Sequence, residues 1–289
     1  MTKRTPLDPF GDISVAVVAY RTPEFLQACL QSIEEQRPRR VAEVIVVDNS
    51  ADGSGDAVAT RHQWATYIAN PTNIHFRRAC NQAARLARCR YLFFLNPDTF
   101  FVNANAVDQL AAVLDRDPGV GIVGPMLRGD DGLLAPQGEP LAGLRTLVAG
   151  KSGLDRIWPR NPLRRRRPPA AIRHESGPVE TVTAAALLCR REDFLAVGGF
   201  DERTRMYWEE HELARKFGQR GLTAYYLPEA FVFHHWRKGG SELDPAVMAY
   251  FDDAERLYYE TFFGRVGRAL YRTLSLARGA IRSALRRSA

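Results

Sequence analysis

Val44-Ile45-Val46-Val47-Asp48-Asn49-Ser50-Ala51-Asp52-Gly53-Ser54 is the stretch on which the reading of this chain turns. Its apolar, mostly β-branched start predicts a buried strand. The strand runs directly into an acid, an amide and a turn rich in Ser and Gly. Open α/β sheets bind ligands just beyond the carboxyl ends of their parallel strands, so an Asp delivered there can accept hydrogen bonds from a base or a ribose. Tyr91-Leu92-Phe93-Phe94-Leu95 ends in the same manner, in Asn96-Pro97-Asp98-Thr99. Two apolar strands each bring an Asp to one sheet edge.

Upstream, Ile13 to Tyr20 predicts a first buried strand, and Arg21-Thr22-Pro23 a turn with Thr22 as N-cap and Pro23 at the first helical position. A helix to about Gln36 follows, burying Phe25, Leu26, Cys29, Leu30 and Ile33 at helical spacing. With the Val44–Val47 strand this makes a β-α-β unit, hence parallel strands and a right-handed crossover. No G-x-G-x-x-G follows the first strand and no G-x-x-x-x-G-K-[ST] is present, which disfavours a dinucleotide site and excludes a P-loop.

Downstream, the pattern predicts a short helix over 57–64, a strand over 66–69, a helix over 78–88, a helix over 104–115 and a strand over 120–125. From Gly129 to Pro178, Gly, Pro and Arg dominate and periodicity fades, so a long, partly mobile loop is expected. A strand over 179–189, a short helix from Arg191, a helix from the Tyr207 region to about Gly221, strands over 223–227 and 231–233, and helix from Pro245 complete the chain. The fold class is therefore α/β.

The 289 residues suffice for one large domain or two intimate halves. No apolar run approaches the roughly 20 residues that span a bilayer, and residues 1–12 lack an apolar signal region, so a cytoplasmic protein is expected. Cys29, Cys80, Cys89 and Cys189 show no paired-ligand spacing, which argues for free thiols. A net charge of +7 points to an anionic partner.

Taken in order, several motifs resemble the family 2 glycosyltransferases. They are Val18-Ala19-Tyr20-Arg21, Val47-Asp48-Asn49-Ser50, Leu95-Asn96-Pro97-Asp98, Gly198-Gly199-Phe200-Asp201-Glu202, Trp208-Glu209-Glu210-His211-Glu212-Leu213, and His234-His235 followed by Gly239-Gly240-Ser241. The likeness runs from about Ile13 to Ser241 and is nearest to bacterial rhamnosyltransferase-like enzymes that extend lipid-linked glycans. It implies the GT-A fold, a Rossmann-like mixed sheet flanked by helices, with a C-terminal helical extension. The implied division is a GT-A domain over 12–241, with a nucleotide-sugar half at 12–100 and an acceptor half at 101–241, then C-terminal helices over 242–289.

The resemblance further implies an inverting transferase that moves a sugar, rhamnose favoured, from a nucleotide-sugar donor to a glycan or polyprenyl-diphosphate-linked acceptor in cell-surface polysaccharide synthesis. A dTDP-sugar is the first expectation for the donor and a UDP-sugar the next. A divalent Mg²⁺ or Mn²⁺ ion would neutralise the diphosphate leaving group. Such ions favour oxygen ligands and keep substrate phosphates in their shell, which suits Asp98. His234, after the last core strand, would complete the metal or pyrophosphate site, and of two adjacent histidines at a strand end only one faces it. Asp48 is assigned by resemblance to the base, with Ala19, Tyr20 and Arg21 as its wall, and Asn73, Asn81 and Asn96 join the donor site. Glu210 matches the position of the catalytic base, with Glu209 the acid before it. An acid at a helix N-terminus also complements the macrodipole, and an acid in a turn can serve as an Asx cap, the reading favoured for Asp52 and Ser54.

The chain departs from the family pattern at Asn73-Ile74-His75-Phe76-Arg77-Arg78-Ala79-Cys80-Asn81. His75 stands where a glycine is usual, and two arginines stand where small residues are usual, which would add positive charge beside the diphosphate. Thr183-Ala184-Ala185 stands where a Gly is common, and Glu210 replaces the more usual Asp.

Two arginine clusters remain. Gly264 to Ala289 holds seven arginines and no acid. Val266, Leu270, Leu274, Ala277, Ile281 and Leu285 share one helical arc, with Arg265, Arg268, Arg272, Arg282 and Arg286 opposite. This reads as an interfacial helix on an anionic membrane surface, peripheral on the inner face of the cell membrane, or else as a terminal helix packed on its own core. The segment 160–173, with Arg164 to Arg167 unbroken, suits an anionic headgroup or a solvated loop. The competing readings are a nucleotidyltransferase, for which Ala19-Tyr20-Arg21-Thr22-Pro23 is a poor match, and a non-catalytic basic scaffold or nucleic-acid binder. No standard nucleic-acid recognition motif occurs, so no nucleic-acid partner is expected.

Overall fold

The computed structural model describes residues 10–129, 132, 134, 138–154, 158, 175–235 and 245–287. Its strands are β1 (Ile13–Ala19), β2 (Val41–Asp48), β3 (Thr66–Ala69), β4 (Tyr91–Leu95), β5 (Thr99–Phe101), β6 (Val120–Arg128), β7 (Gly177–Val179), β8 (Ala186–Arg190) and β9 (Thr223–His234). Its helices are α1 (Pro23–Gln36), α2 (Asp56–Arg61), α3 (Phe76–Leu86), α4 (Asn105–Arg116), α5 (Leu144–Lys151), α6 (Arg191–Ala196), α7 (Glu209–Gly218) and α8 (Pro245–Arg287). Among the described residues the strands form one sheet in the order β3-β2-β1-β4-β8-β6-β9-β5, with β7 paired to β9.

The first half of the sheet is parallel, as the β-α-β reading requires: β1 pairs in parallel with both β2 and β4, and β2 with β3. The sheet then turns mixed, since β8 runs antiparallel to β4 and to β6. It therefore passes without a break from the expected donor half into the expected acceptor half.

Strand alternation divides the core into two layers. Val15, Val17, Val44, Val46, Phe93 and Leu95 face one way, onto Leu26, Leu30 and Ile33 of α1 and Leu110 and Leu114 of α4. Ala16, Val18, Ile45, Val47, Leu92 and Phe94 face the other way, onto Ala83 of α3, Phe194 of α6 and Leu213 and Phe217 of α7. Pro23 does open α1, but Thr22 makes no side-chain cap, and Phe25 is only half-buried, with its ring 5.3 Å from that of His235.

Several expected boundaries shift for local reasons. Helix α3 starts two residues early, because Asn73 Oδ1 accepts the His75 N–H at 2.8 Å and His75 takes φ 70°, ψ 164°. Strands 223–227 and 231–233 are one strand, β9, whose register against β6 shifts at Pro125/Met126 as the chain passes Pro228. The expected strand over 179–189 is divided into β7 and β8. Within the expected loop over 129–178, α5 and β7 form ordered elements, while 160–173 lies outside the described residues, as does Gly239-Gly240-Ser241. All four cysteines are free, and three are buried.

Helix α8 is a hairpin. Gly264, at φ 57° and ψ −137°, breaks it in a conformation that essentially only glycine adopts. Gly267 lies so close to the Tyr259 carbonyl that no side chain fits there. The second arm thus folds back, and Tyr271 donates to the Asp252 carbonyl at 2.9 Å. Buried Lys151 of α5 joins both arms, with Nζ 2.7 Å from Glu255, 3.0 Å from Asp252 and 3.1 Å from the Tyr271 hydroxyl. The expected apolar arc is therefore split. Leu270 and Leu274 pack on the molecule itself, Tyr271 from outside the arc is the buried residue, and Val266 is 63% exposed. The side chains of Ile281 and Leu285 lie outside the described residues.

Candidate active site

Strands β3, β2, β1 and β4 are mutually parallel, so the turns after them share one edge of the sheet. Asp48 ends β2 and is buried at 4% exposure. Its Oδ1 accepts the Ser50 N–H at 2.8 Å and the Ser50 hydroxyl at 2.5 Å, and its Oδ2 accepts the Tyr67 hydroxyl. A carboxylate accepts about four hydrogen bonds, so these three leave room for one from a ligand. Burial, and then Asp48, push the Tyr67 phenol well above its ordinary value. Gly55 backs the pair: a side chain there would collide with both the Tyr67 hydroxyl and Asp48.

Tyr20, just past Ala19, is 45% exposed. Arg21 adopts φ 54° and donates its backbone N–H to Ser50 Oγ at 2.8 Å. Its guanidinium carbon lies 5.3 Å from the Tyr20 ring centroid, and its Nε 3.6 Å from Asp52. The structure thus brings Ala19, Tyr20, Arg21 and Asp48 into one wall. Asp52 forms the expected Asx turn, accepting the Ser54 N–H at 3.0 Å.

The three asparagines separate. Asn73 opens α3 through its bond to His75. Asn81 is buried and turned toward the protein: its Nδ2 donates to the Phe200 carbonyl at 2.8 Å and to Glu202 at 2.9 Å, and its Oδ1 accepts the Phe200 N–H at 2.9 Å. It brackets the Gly198–Glu202 turn instead of facing a ligand. Asn96 differs again. Its backbone N–H reaches the Ala185 carbonyl at 2.9 Å, while its half-buried side-chain amide makes no hydrogen bond among the described residues.

Asp98 meets His234 because β5, which the sequence reading missed, pairs antiparallel with β9 and sets Thr99 opposite His234. His234 Nε2 stands 3.3 Å from Asp98 Oδ1, and the Asp98 carbonyl accepts the His235 N–H at 2.8 Å. His235 points away, with its ring 5.2 Å from that of Phe100. One carboxylate oxygen and one imidazole nitrogen at this spacing suit a divalent ion that draws the rest of its shell from phosphate oxygens and water. Among the described residues no cluster of three or more such ligands occurs.

Helix α7 begins abruptly. Tyr207 and Trp208 both hold positive φ, 75° and 65°, a strained pair for residues with side chains. Packing secures it: the Trp208 ring lies 4.9 to 5.8 Å from those of His211, Phe251, Tyr258 and Tyr259, the last three on α8. The two acids that follow are not equivalent. Glu209 is 5% exposed and 3.3 Å from Arg77 Nε. Burial, reinforced by Glu210 and opposed by Arg77, pushes its carboxyl up to about 7. Glu210 is half-buried and makes no ion pair among the described residues; its carboxylate accepts a hydrogen bond from its own backbone N–H. Burial, with Glu139 adding to it, raises its carboxyl as well.

Arg77, one of the two arginines expected to add charge beside the diphosphate, is 2% exposed and bound to the segment around α7. Arg78 is exposed, 3.9 Å from Glu202. Tyr67 and the aromatic packing around Trp208 were missed altogether. Tyr67 had a signal, since a tyrosine in a strand beside β2 is within reach of Asp48; the packing of α8 on Trp208 had none.

The glycosyl transferase family 2 profile matches residues 14–177. The chain is 28% identical over 247 residues to the N-acetylglucosaminyl-diphospho-decaprenol L-rhamnosyltransferase of Mycobacterium tuberculosis, covering 81% of this chain and 79% of that one. It is 26% identical over 244 residues to the O-antigen biosynthesis protein RfbC of Myxococcus xanthus, covering 80% of this chain and 18% of that one. Among solved structures it resembles the mannosyltransferase PcManGT of Pyrobaculum calidifontis in complex with GDP-Man and Mn²⁺, with TM-score 0.56, 20% identity and coverage of 96% and 76%. It also resembles S. aureus TarS 1-349 in complex with UDP-GlcNAc, with TM-score 0.59, 18% identity and coverage of 92% and 72%. Helices flank the mixed sheet as in these GT-A neighbours, and the match spans more than half of the sequence: the chain belongs to glycosyl transferase family 2.

Proposed function

We propose that this glycosyltransferase is inverting and moves rhamnose from a nucleotide-sugar donor, dTDP before UDP, to a lipid-linked glycan acceptor in cell-surface polysaccharide synthesis. The rhamnose and the lipid-linked acceptor rest on similarity to the mycobacterial relative, whose name specifies both. The observation that carries the mechanism is the difference between two neighbouring acids: Glu209 is tied to Arg77, and Glu210 makes no such contact among the described residues.

Tyr20, Arg21 and Asp48 take the nucleoside, with the remaining acceptor site of Asp48 on a base N–H. Asn96 faces the ribose or sugar. Asp98 and His234 would hold Mg²⁺ or Mn²⁺, which supplies positive charge to the diphosphate. Glu210 accepts the proton of the acceptor hydroxyl. The hydroxyl oxygen bonds to the anomeric carbon as the bond from that carbon to the diphosphate oxygen breaks, and the electron pair leaves with the diphosphate. Attack opposite the leaving group inverts the centre. A carboxyl raised by burial is a stronger base than a solvated one, which suits this task.

The membrane part of the reading now rests on charge. Arg265, Arg268 and Arg272 are exposed on the second arm of α8, while part of the apolar arc is buried against α5. No helix among the described residues is long and apolar enough to cross a membrane. The proposal is that this arm lies against an anionic membrane surface.

The test is nucleotide release from a panel of sugar nucleotides with Mg²⁺ or Mn²⁺ and a polyprenyl-diphosphate glycan. Release from dTDP-rhamnose, lost in Asp98→Ala and Glu210→Gln, supports the reading. Turnover of another donor alone replaces the sugar, and full activity of Glu210→Gln removes the base.

A further inference from the structure

Arg77 is among the largest fully buried side chains of the molecule, at 2% exposure. It sits on the first turn of α3, on the donor side of the fold, yet its guanidinium serves another segment. Nε stands 3.3 Å from Glu209 Oε1. Nη1 donates to Glu212 and lies 3.3 Å from the Asp201 carbonyl, and Nη2 donates to the Tyr207 carbonyl. Its own backbone N–H points at the Arg205 carbonyl, 3.4 Å away. These acceptors span the turn before α7, the first of the two left-handed residues, and the first turn of the helix. Glu212 closes the ring by accepting the Asp201 N–H at 2.8 Å and Lys216 Nζ at 2.6 Å.

Only arginine presents five donors in a planar fork, so one guanidinium can hold carbonyls and carboxylates together. Here it holds the point at which α7 starts. Glu210 lies between Glu209 and Glu212 in sequence and is the acid of this turn that the fork does not engage. A strained Tyr207-Trp208 pair needs such surroundings to persist.

We infer that Arg77 is a positioning residue for the reaction: its fork fixes the start of α7 and so aims Glu210 at the acceptor hydroxyl. This rests on the reading of Glu210 as base. Its charge acts in the same direction. Glu209 is faced by Arg77, Glu210, Glu212 and Cys80, and Glu210 by Glu139 and Arg77. Asp201 and Lys216 complete the ring around Glu212. Without Arg77, Lys216 and Arg203, the latter bound to Asp201, are the cations that remain beside these acids among the described residues, and the carboxylates take up protons at higher pH.

Two variants and two readouts test this. Arg77→Lys keeps the charge and loses the fork; Arg77→Met loses both. Arg77→Lys is expected to bind donor nucleotide as wild type does and to lose about 10- to 100-fold in kcat, the scale of a small misplacement of a reacting group. Its acid limb stays where the wild type's is. Arg77→Met moves that limb to higher pH, and carboxyl ¹³C NMR shows the Glu209 and Glu210 midpoints rising with it. Wild-type kcat in Arg77→Lys overturns the proposal, and so does a kcat loss matched by an equal loss of nucleotide affinity. If Arg77→Met does not fold, Arg77→Lys decides alone. If the wild type turns over no donor, the transferase mechanism above fails, and unmoved carboxyl midpoints in Arg77→Met then separately remove the electrostatic role of Arg77.

Discussion

His234 Nε2 and Asp98 Oδ1 stand 3.3 Å apart although 136 positions separate them in the chain, because β9 ends where β5 begins. The contact joins the turn after a parallel strand to the far end of the mixed sheet. A donor diphosphate held by Asp98 would therefore be sensed by both parts of the fold.

The first prediction follows from that pair. Asp98→Ala is expected to abolish the Mn²⁺-dependent part of nucleotide binding and to lower turnover by at least about 100-fold, since a metal contributes several kcal/mol of charge stabilisation. His234→Ala should cost less, about 10-fold, because phosphate and water can fill one position in the shell. Titration calorimetry with a nucleoside diphosphate, with and without Mn²⁺, measures both. Unchanged metal dependence in Asp98→Ala would place the ion elsewhere.

Glu210→Gln should reduce kcat by about 10² to 10⁴ with little change in donor KM, the range for a lost general base. The pH profile has a defined sign. A base works only when deprotonated, so activity falls as pH drops through its pKa. Burial raises that pKa, so the acid limb lies above the ordinary carboxylate range. A limb near 4 would show that the base titrates as a solvated acid and would remove the effect of burial on it.

Tyr67 holds one oxygen of Asp48. Tyr67→Phe removes one hydrogen bond to a carboxylate, worth about 1.5–3 kcal/mol, part of which the ligand itself restores. Nucleotide affinity should weaken about 3- to 10-fold while kcat holds. An equal effect on a sugar phosphate lacking the base would disconnect Asp48 from the nucleoside.

Lys151 is the stability keystone of the C-terminal hairpin. Lys151→Met leaves the largely buried Glu255 without its cation, and removal of one partner of a buried pair costs about 3–5 kcal/mol. Urea unfolding should show the loss, and Lys151→Met with Glu255→Leu should recover most of it. Additive losses in the double variant would mean that the two residues do not couple.

Membrane association is best probed by charge reversal. Deleting residues from 270 onward would remove Tyr271, which is buried against Lys151, and so would disturb the fold itself. Arg265→Glu with Arg272→Glu leaves the packing in place. At about 1 kcal/mol per basic residue, the pair should weaken sedimentation with phosphatidylserine vesicles by more than 10-fold. Neutral vesicles should bind neither protein. Equal binding of the double variant would rule out the basic arm as the contact.

Much of this was legible from residue order. The β-branched runs determined which strands are buried, alternation determined the two core layers, and Asp48 and Asp98 stand at strand ends because the apolar runs stop there. The Glu209-Glu210 pair was legible as a helix-opening motif, but its division of labour was not. Arg77 lies 132 positions from Glu209, and no periodicity links them. Only when α3 and α7 pack on the same sheet face does a side chain that sequence assigns to phosphate become a buried clamp. The same holds for β5 and for the α8 hairpin. A three-residue strand carries too weak a local pattern to be read. A helix whose apolar arc suits a membrane turns back at Gly264 because Lys151, Glu255 and Tyr271 pair only after folding. Local chemistry decided the elements and the strand-end acids; contacts between distant segments decided which acids Arg77 binds, which it leaves, and where the last helix goes.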